Sequence, residues 1–220
     1  MERFIDLKEV SDGKLYNSND LVKADCNGCN GCFACCTGMG DSIILDPLDC
    51  VRLQSVTGLG FMELLQKHLV LNVVDGMILP NLRMDEARDA CTFLDENGRC
   101  SIHAKRPGFC RLFPLGRYYH DRTFSYFLQI HECRQEKRSK VKVKKWLDLP
   151  DIRQYEQFVS DWHYFLKDTE EWLKAHETYR KQVTMEILQG FYVKPYAENI
   201  FYQEFYARLE VVKSTLKRIG

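Results

Sequence analysis

The sequence predicts an α+β fold: a small cysteine-rich domain of short helices and hairpins over residues 1–145, then a helical C-terminal extension over residues 146–220. Three observations lead there. All ten cysteines lie between residues 26 and 133. Within that block, one capped helix start and two turn-centred apolar runs give short mixed elements. Beyond residue 150 there is no cysteine, and apolar residues recur at three- and four-residue steps.

Residues 1–25 are polar and weakly periodic, and read as an irregular lead-in. Residues 26–40, rich in glycine and cysteine, read as a loop wrapped tightly enough to need positive φ angles. Asp46-Pro47 reads as N-cap and first position of a helix to about Ser55. A second short helix runs from Phe61 to Leu69. Val70 to Val74 and Met77 to Leu82 flank Asp75-Gly76, a hairpin turn signal. Asp95-Glu96-Asn97-Gly98 is a further turn. Tyr118-Tyr119 and Thr123 to Ile130 flank His120-Asp121-Arg122, a second hairpin. Its aromatics, Tyr118, Tyr119, Phe124, Tyr126 and Phe127, are expected as core under the cysteines. The basic stretch from Arg134 to Lys145 reads as a solvated linker, or as an edge strand blunted by charge where Val141 and Val143 alternate with lysines. Tyr155, Phe158, Trp162, Phe165, Leu166, Thr169, Trp172 and Leu173 form one helical stripe. Ile200, Phe201, Phe205, Leu209, Val212, Leu216 and Ile219 form a second, with Gly190 and Pro195 punctuating the chain between them.

Charge narrows the function classes. Thirty-one basic and 31 acidic residues cancel, so nothing global favours nucleic acid or an anionic membrane. No run of about 18 apolar residues exists. The stretch Met1 to Glu9 has scattered charges and no signal-peptide core. The expectation is a cytoplasmic chain with no membrane and no nucleic acid, whose partner, if any, is a protein. In a reducing compartment many cysteines mean metal rather than disulfides.

The cysteine spacing supports that reading. Cys26, Cys29, Cys32 and Cys35 recur every third residue, and Cys36 follows directly. A two-residue gap lets both sulfurs of a pair face one ion while the loop backbone donates N–H groups to them. Adjacent Cys35 and Cys36 are expected to face apart, which suggests a multinuclear centre or two neighbouring sites. Cys91, Cys100, His103 and Cys110 form a second block, with Arg99, Arg106 and Arg111 near in sequence to offset thiolate charge. The predicted ligands are Cys29, Cys32, Cys35, Cys36, Cys91, Cys100, His103, Cys110 and Cys133. Cys26 is open between ligand and core, and Cys50, inside the first helix, belongs to the core. Cys-x3-Cys-x2-Cys, the radical-SAM arrangement, is absent because position 39 is Met.

Two separated motifs carry a resemblance. Cys29-x2-Cys32-x2-Cys35-Cys36, followed by Cys91, Cys100, His103, Arg106-Pro107, Cys110-Arg111 and Phe113-Pro114, resembles the YkgJ-type cysteine-cluster family, a zinc- or iron-chelating domain. The likeness covers about residues 26–133, and Cys26 is additional to the usual motif. It implies metal chelation. Three successive two-residue gaps resemble the ferredoxin run, and the donor number exceeds one tetrahedral ion, so an iron–sulfur cluster is expected, with zinc as the alternative. The expected role is redox or protein interaction. The alternative role comes from the related domain of flagellin lysine N-methylase, which implies a SAM-dependent enzyme modifying protein side chains.

Overall fold

The structure, a computed structural model, describes residues 6–26, 32–135 and 137–219. Helix α1 (Leu7–Val10) is capped by Asp6 and leads to strand β1 (Leu21–Asp25). The strand corrects the expected irregular lead-in. Val22 and Ala24 are fully buried, but two inward residues in five give almost no alternation to read.

Helix α2 (Pro47–Thr57) starts as expected, with Asp46 as its cap, Pro47 at its first position and a reciprocal capping box to Asp49. Helix α3 (Phe61–Lys67) follows, then the hairpin of β2 (Leu69–Val74) and β3 (Met77–Leu82). Asp75 and Gly76 both take positive φ (48° and 81°), as a type I′ turn demands. The short strands β4 (Met84–Asp85) and β5 (Ala90–Cys91) pair next, and a one-turn helix, α4 (Gly108–Leu112), comes after them. Strands β6 (Leu115–His120) and β7 (Thr123–Leu128) form the second hairpin, turning at Asp121 and Arg122. Arg122 has φ 60°, which costs a side chain roughly 1–2 kcal/mol. Contacts to the long helix that follows offset this. Arg122 forks onto Asp168 (2.6 and 2.7 Å) and lies over the Tyr164 ring, and Ser160 Oγ donates to the Arg122 carbonyl.

Strand β8 (Ser139–Lys142) pairs antiparallel with β1, Leu21 opposite Lys142 and Asp25 opposite Ser139. The edge-strand reading of the basic run therefore holds, although Val143 already opens helix α5 (Val143–Leu147). The helical half is α6 (Ile152–Ala175), α7 (Arg180–Leu188) and α8 (Phe201–Ile219). Gly190 does not end a helix. It lies in a π-turn, Gln189–Val193, that prolongs α7. A Cβ there would sit 2.9 Å from Val212 of α8, so the glycine serves close helix approach. No described helix is long and apolar enough to cross a membrane.

One apolar cluster joins the two halves. Ile43, Leu45, Leu53, Leu64, Leu79, Phe93 and Ile102 belong to the same core as Phe158, Trp162, Phe191 and Phe205. Phe158 meets Phe205 edge-on at 4.7 Å between centroids, and Trp162 meets Phe191 at 4.9 Å. The Tyr192 hydroxyl donates to the Leu45 carbonyl (2.9 Å). A smaller cluster gathers Val22, Ala24, Leu112, Leu115, Tyr126, Leu128, Val143 and Leu147. The hairpin aromatics lie toward α6 rather than beneath the cysteines: Tyr119 stacks on His163 at 3.5 Å, Tyr126 donates to Glu156, and Tyr118 is exposed.

Asp49 is a carboxyl buried in this core, and Asp46 is half-buried beside it. Asp46 Oδ1 accepts from Asp49 N (2.8 Å), and Asp49 Oδ1 accepts from Gly108 N (2.7 Å), which ties α2 to α4. Burial pushes Asp46 up to about 7; the Asp49 carboxyl adds to this, and Arg52 and Arg117 oppose it. The folded chain thus holds a proton that the unfolded chain, ionising near 4, releases. This contribution to stability is full below about pH 4, declines as pH rises to about 7, and is level above. Asp46→Asn keeps the cap and should gain stability relative to the parent chain across that window. Urea melts at about pH 5 and about pH 8 measure it; a pH-independent difference between the two chains refutes it. Phe158→Ala should cost about 3–5 kcal/mol. Because the core is shared, fluorescence and circular dichroism should report a single transition; a cysteine half that keeps the parent midpoint would contradict this.

Candidate metal centre

Short local devices place each sulfur. Cys35 and Cys36 sit in a 3-10 turn, Ala34–Cys36, closed by Cys36 N donating to the Phe33 carbonyl (2.8 Å). Cys91 ends β5, opposite Met84. Cys100 closes the 95–98 turn, where Asp95 Oδ1 accepts the N–H groups of Asn97 (2.9 Å) and Arg99 (2.8 Å) and leaves Cys100 bridged to Leu94. His103 opens the 3-10 turn His103–Lys105. Cys110 rides on α4, whose first N–H is held by Asp49.

Together they enclose a cavity of about 240 Å³ lined by Cys32, Cys35, Cys36, Cys91, Cys100, His103 and Cys110. Phe33, Ile43, Leu82, Leu94, Ile102, Phe113 and Trp146 supply its apolar wall, and Arg99 and Arg106 also line it. Gly98 has φ 69°, and the Phe33 ring packs onto it so closely that a Cβ would lie 2.8 Å from the ring. Seven of the nine expected ligands thus share one cavity. Cys29 lies outside the described residues. Cys133 is not on this wall. Cys50 is buried in the main apolar cluster, away from the lining.

Two expectations are corrected. Cys35 and Cys36 do not face apart: both line the cavity and their side chains hydrogen-bond, because the tight turn and the width of the cavity let successive residues reach it. Arg111, expected beside the thiolates, does not line the cavity. Its buried guanidinium donates to the carbonyls of Leu147 (3.1 Å), Asp148 (3.2 Å) and Ala104 (2.7 Å), clamping α5 to the His103 turn.

Electrostatics define the chemistry. The hydrogen bond from Cys36, then burial, raises the Cys35 thiol. Burial raises Cys91, Cys100 and Cys110, and neighbouring thiols add to the effect at all three. These groups hold their protons until a cation displaces them. Arg106 opposes the shift at Cys35 and Cys100. Its Nη1 also contacts both ring nitrogens of His103, and its Nε is buried without a hydrogen-bond partner among the described residues. Burial, then Arg106, lowers His103, favouring the neutral imidazole that ligates metals. The Phe93 N–H bonds to Cys91 and the Ile102 N–H to Cys100, each from two residues on. Such N–H donors favour the charged sulfur. No disulfide joins the described cysteines. Among the described residues no three Cys, His, Asp or Glu side chains yet converge closely enough to hold an ion. The donor set nonetheless fits a thiophilic metal: clustered buried sulfurs, backbone N–H donors, a neutral histidine and an unpartnered guanidinium nitrogen.

The family model CxxCxxCC, described as a "putative zinc- or iron-chelating domain", matches residues 28–138. The chain belongs to this family. No curated protein and no solved structure matches it. As a member of the CxxCxxCC family it is a metal-binding, cysteine-cluster protein of mixed helix and sheet.

Sequence reasoning missed three contributors. Asp49 carried no signal of its own, and the hold of its carboxyl on Gly108 N needs the fold. Trp146 lines the cavity from α5, with Nε1 donating to the Phe113 carbonyl (3.1 Å). Phe33, inside the cysteine run, carried no signal beyond its position.

Cys100→Ser and Cys110→Ser should each lose most bound metal, whereas Cys50→Ser should keep it and cost about 1–3 kcal/mol from a buried hydroxyl. Metal analysis of the purified variants with urea melts decides this; full metal in Cys110→Ser contradicts the assignment.

Proposed function

We propose that this family member holds an iron–sulfur cluster in the cavity and serves as a redox or protein-recognition module. The observation that carries the reading is the joint excess of donors and room: six cysteines and His103 around about 240 Å³. A structural zinc ion takes four ligands and draws thiolates to about 2.3 Å, leaving both donors and space over. A cluster would supply one-electron chemistry there.

The chain's own residues would do the rest. Cysteines drawn from four separate segments would hold the cluster. The Phe93 and Ile102 N–H groups and Arg106 would offset sulfur charge, and hydrogen bonds to sulfur are among the determinants of cluster potential. Phe33, Phe113 and Trp146 would limit water. Phe33 is also 45 % exposed, giving a protein partner an aromatic contact beside Arg99 at the cavity.

Anaerobic purification with iron, sulfide and zinc analysis tests the reading. Iron and acid-labile sulfide are expected; zinc alone overturns it. Chelation should also lower the thermal midpoint and loosen the cysteine half, since structural metal contributes roughly 10–16 kcal/mol in small metallodomains. Unchanged circular dichroism and midpoint would count against a structural role.

A further inference from the structure

The β2–β3 hairpin has two edges, and the chain covers one of them. The segment 43–45 runs along β3: Leu82 N donates to the Ile43 carbonyl (3.0 Å) and Leu45 N to the Pro80 carbonyl (2.9 Å). These bonds fix the phase of the ladder. Pro80 and Leu82 aim their main-chain groups away from β2, so the residues opposite them, Leu71 and Leu69, aim theirs away from β3. Val73, two residues on, does the same. The Leu69 carbonyl is taken by Arg83 Nη2 (2.8 Å). The N–H and C=O groups of Leu71 and Val73 have no hydrogen-bond partner among the described residues.

This edge carries none of the usual guards. Strand β2 has no charge and no proline, and its register with β3 is unbroken from Leu69 opposite Leu82 to Val74 opposite Met77. Leu71 and Val73 are 39 % and 72 % exposed. An open, unkinked apolar edge is a template for another strand.

We propose that β2 pairs antiparallel with β2 of a second copy of this chain, about a two-fold axis at Asn72, joining the two hairpins into one continuous sheet. No residue of β2 lines the cavity, so the inference is independent of the metal bound there.

The strand is complementary to itself in this register. Both open residues then meet open residues, Leu71 of each copy opposite Val73 of the other, and each pair exchanges both N–H···O bonds. The same pairing sets two exposed apolar side chains against each other on the outer face. Asn72 falls opposite its own copy at the close, non-hydrogen-bonded spacing of about 4.5 Å between Cα atoms. Its Nδ2 is buried with no hydrogen-bond partner among the described residues, and the second Asn72 amide offers it a carbonyl. Charge selects the direction. Basic Lys67 and Arg83 flank the start of β2 and Asp75 follows its end. Antiparallel pairing brings Asp75 of one copy to the basic end of the other, whereas parallel pairing sets like ends together.

Sedimentation of the full chain over a concentration series tests this, beside the double variants Leu71→Lys/Val73→Lys and Leu71→Glu/Val73→Lys. The parent chain should dimerise. The lysine pair sets like charges opposite each other and should sediment as a monomer. The Glu/Lys pair sets opposite charges across the seam in this register and should dimerise again. Both side chains are exposed, so circular dichroism and metal content should match the parent. A parent chain that stays monomeric to about 1 mM overturns the proposal. So does a dimer that survives the lysine pair, since the copies then meet elsewhere, and so does a monomeric Glu/Lys variant. Should a variant fail to fold, hydrogen exchange of the parent chain decides. The Leu71 and Val73 amides should be protected at high concentration and exchange faster on dilution; exchange independent of concentration overturns the pairing.

Discussion

The cavity depends on burial of one aromatic helix face. The cysteine half is made of two-stranded sheets, short helices and 3-10 turns, and an isolated hairpin is marginal in water. Much of their apolar surface shares one core with the helical half. Helix α6 supplies the missing partner: Tyr155, Phe158, Trp162 and Phe165 enter the same core as Ile43, Leu53, Leu79 and Phe93. The helical half is therefore part of what holds the sulfurs in place.

From that core a chain of polar contacts runs to the site. Asp49, buried on α2, holds the first N–H of α4 and so sets where Cys110 stands. Arg111, one residue on, holds three carbonyls and fixes α5, which presents Trp146 to the cavity. These groups need the low-dielectric interior to matter, and the interior in turn needs them satisfied. The crowding of thiols is the opposite case. Burial and mutual proximity disfavour thiolates, so the arrangement is at its best only when a cation replaces the protons. At the cavity wall, the Arg106 Nε, buried without a hydrogen-bond partner among the described residues, points the same way.

Much of this was legible from residues alone because the signals are local. Asp46-Pro47, Asp75-Gly76 and the 155–173 stripe each need only neighbouring residues to declare a cap, a turn or a helix face. The cysteine spacing is local too, and it identified the chemistry and the family motif. Strand β1 was not legible, because its partner lies more than a hundred residues away and its own pattern is too short. The Asp121-Arg122 turn was placed correctly, but its positive φ values rest on Asp168, Tyr164 and Ser160 of α6.

By itself, then, the sequence determined the fold class and the metal-binding chemistry, since residue type and short-range spacing carry both. Only the tertiary structure decided how the sulfurs are grouped. Cys35 and Cys36 share a wall although they are adjacent, Arg111 turns away to carbonyls although it follows Cys110, and Cys133 is not on the wall that Cys110 lines. Grouping of this kind depends on long-range pairing, β1 with β8 and α2 with α4, and no spacing rule within a single segment encodes it.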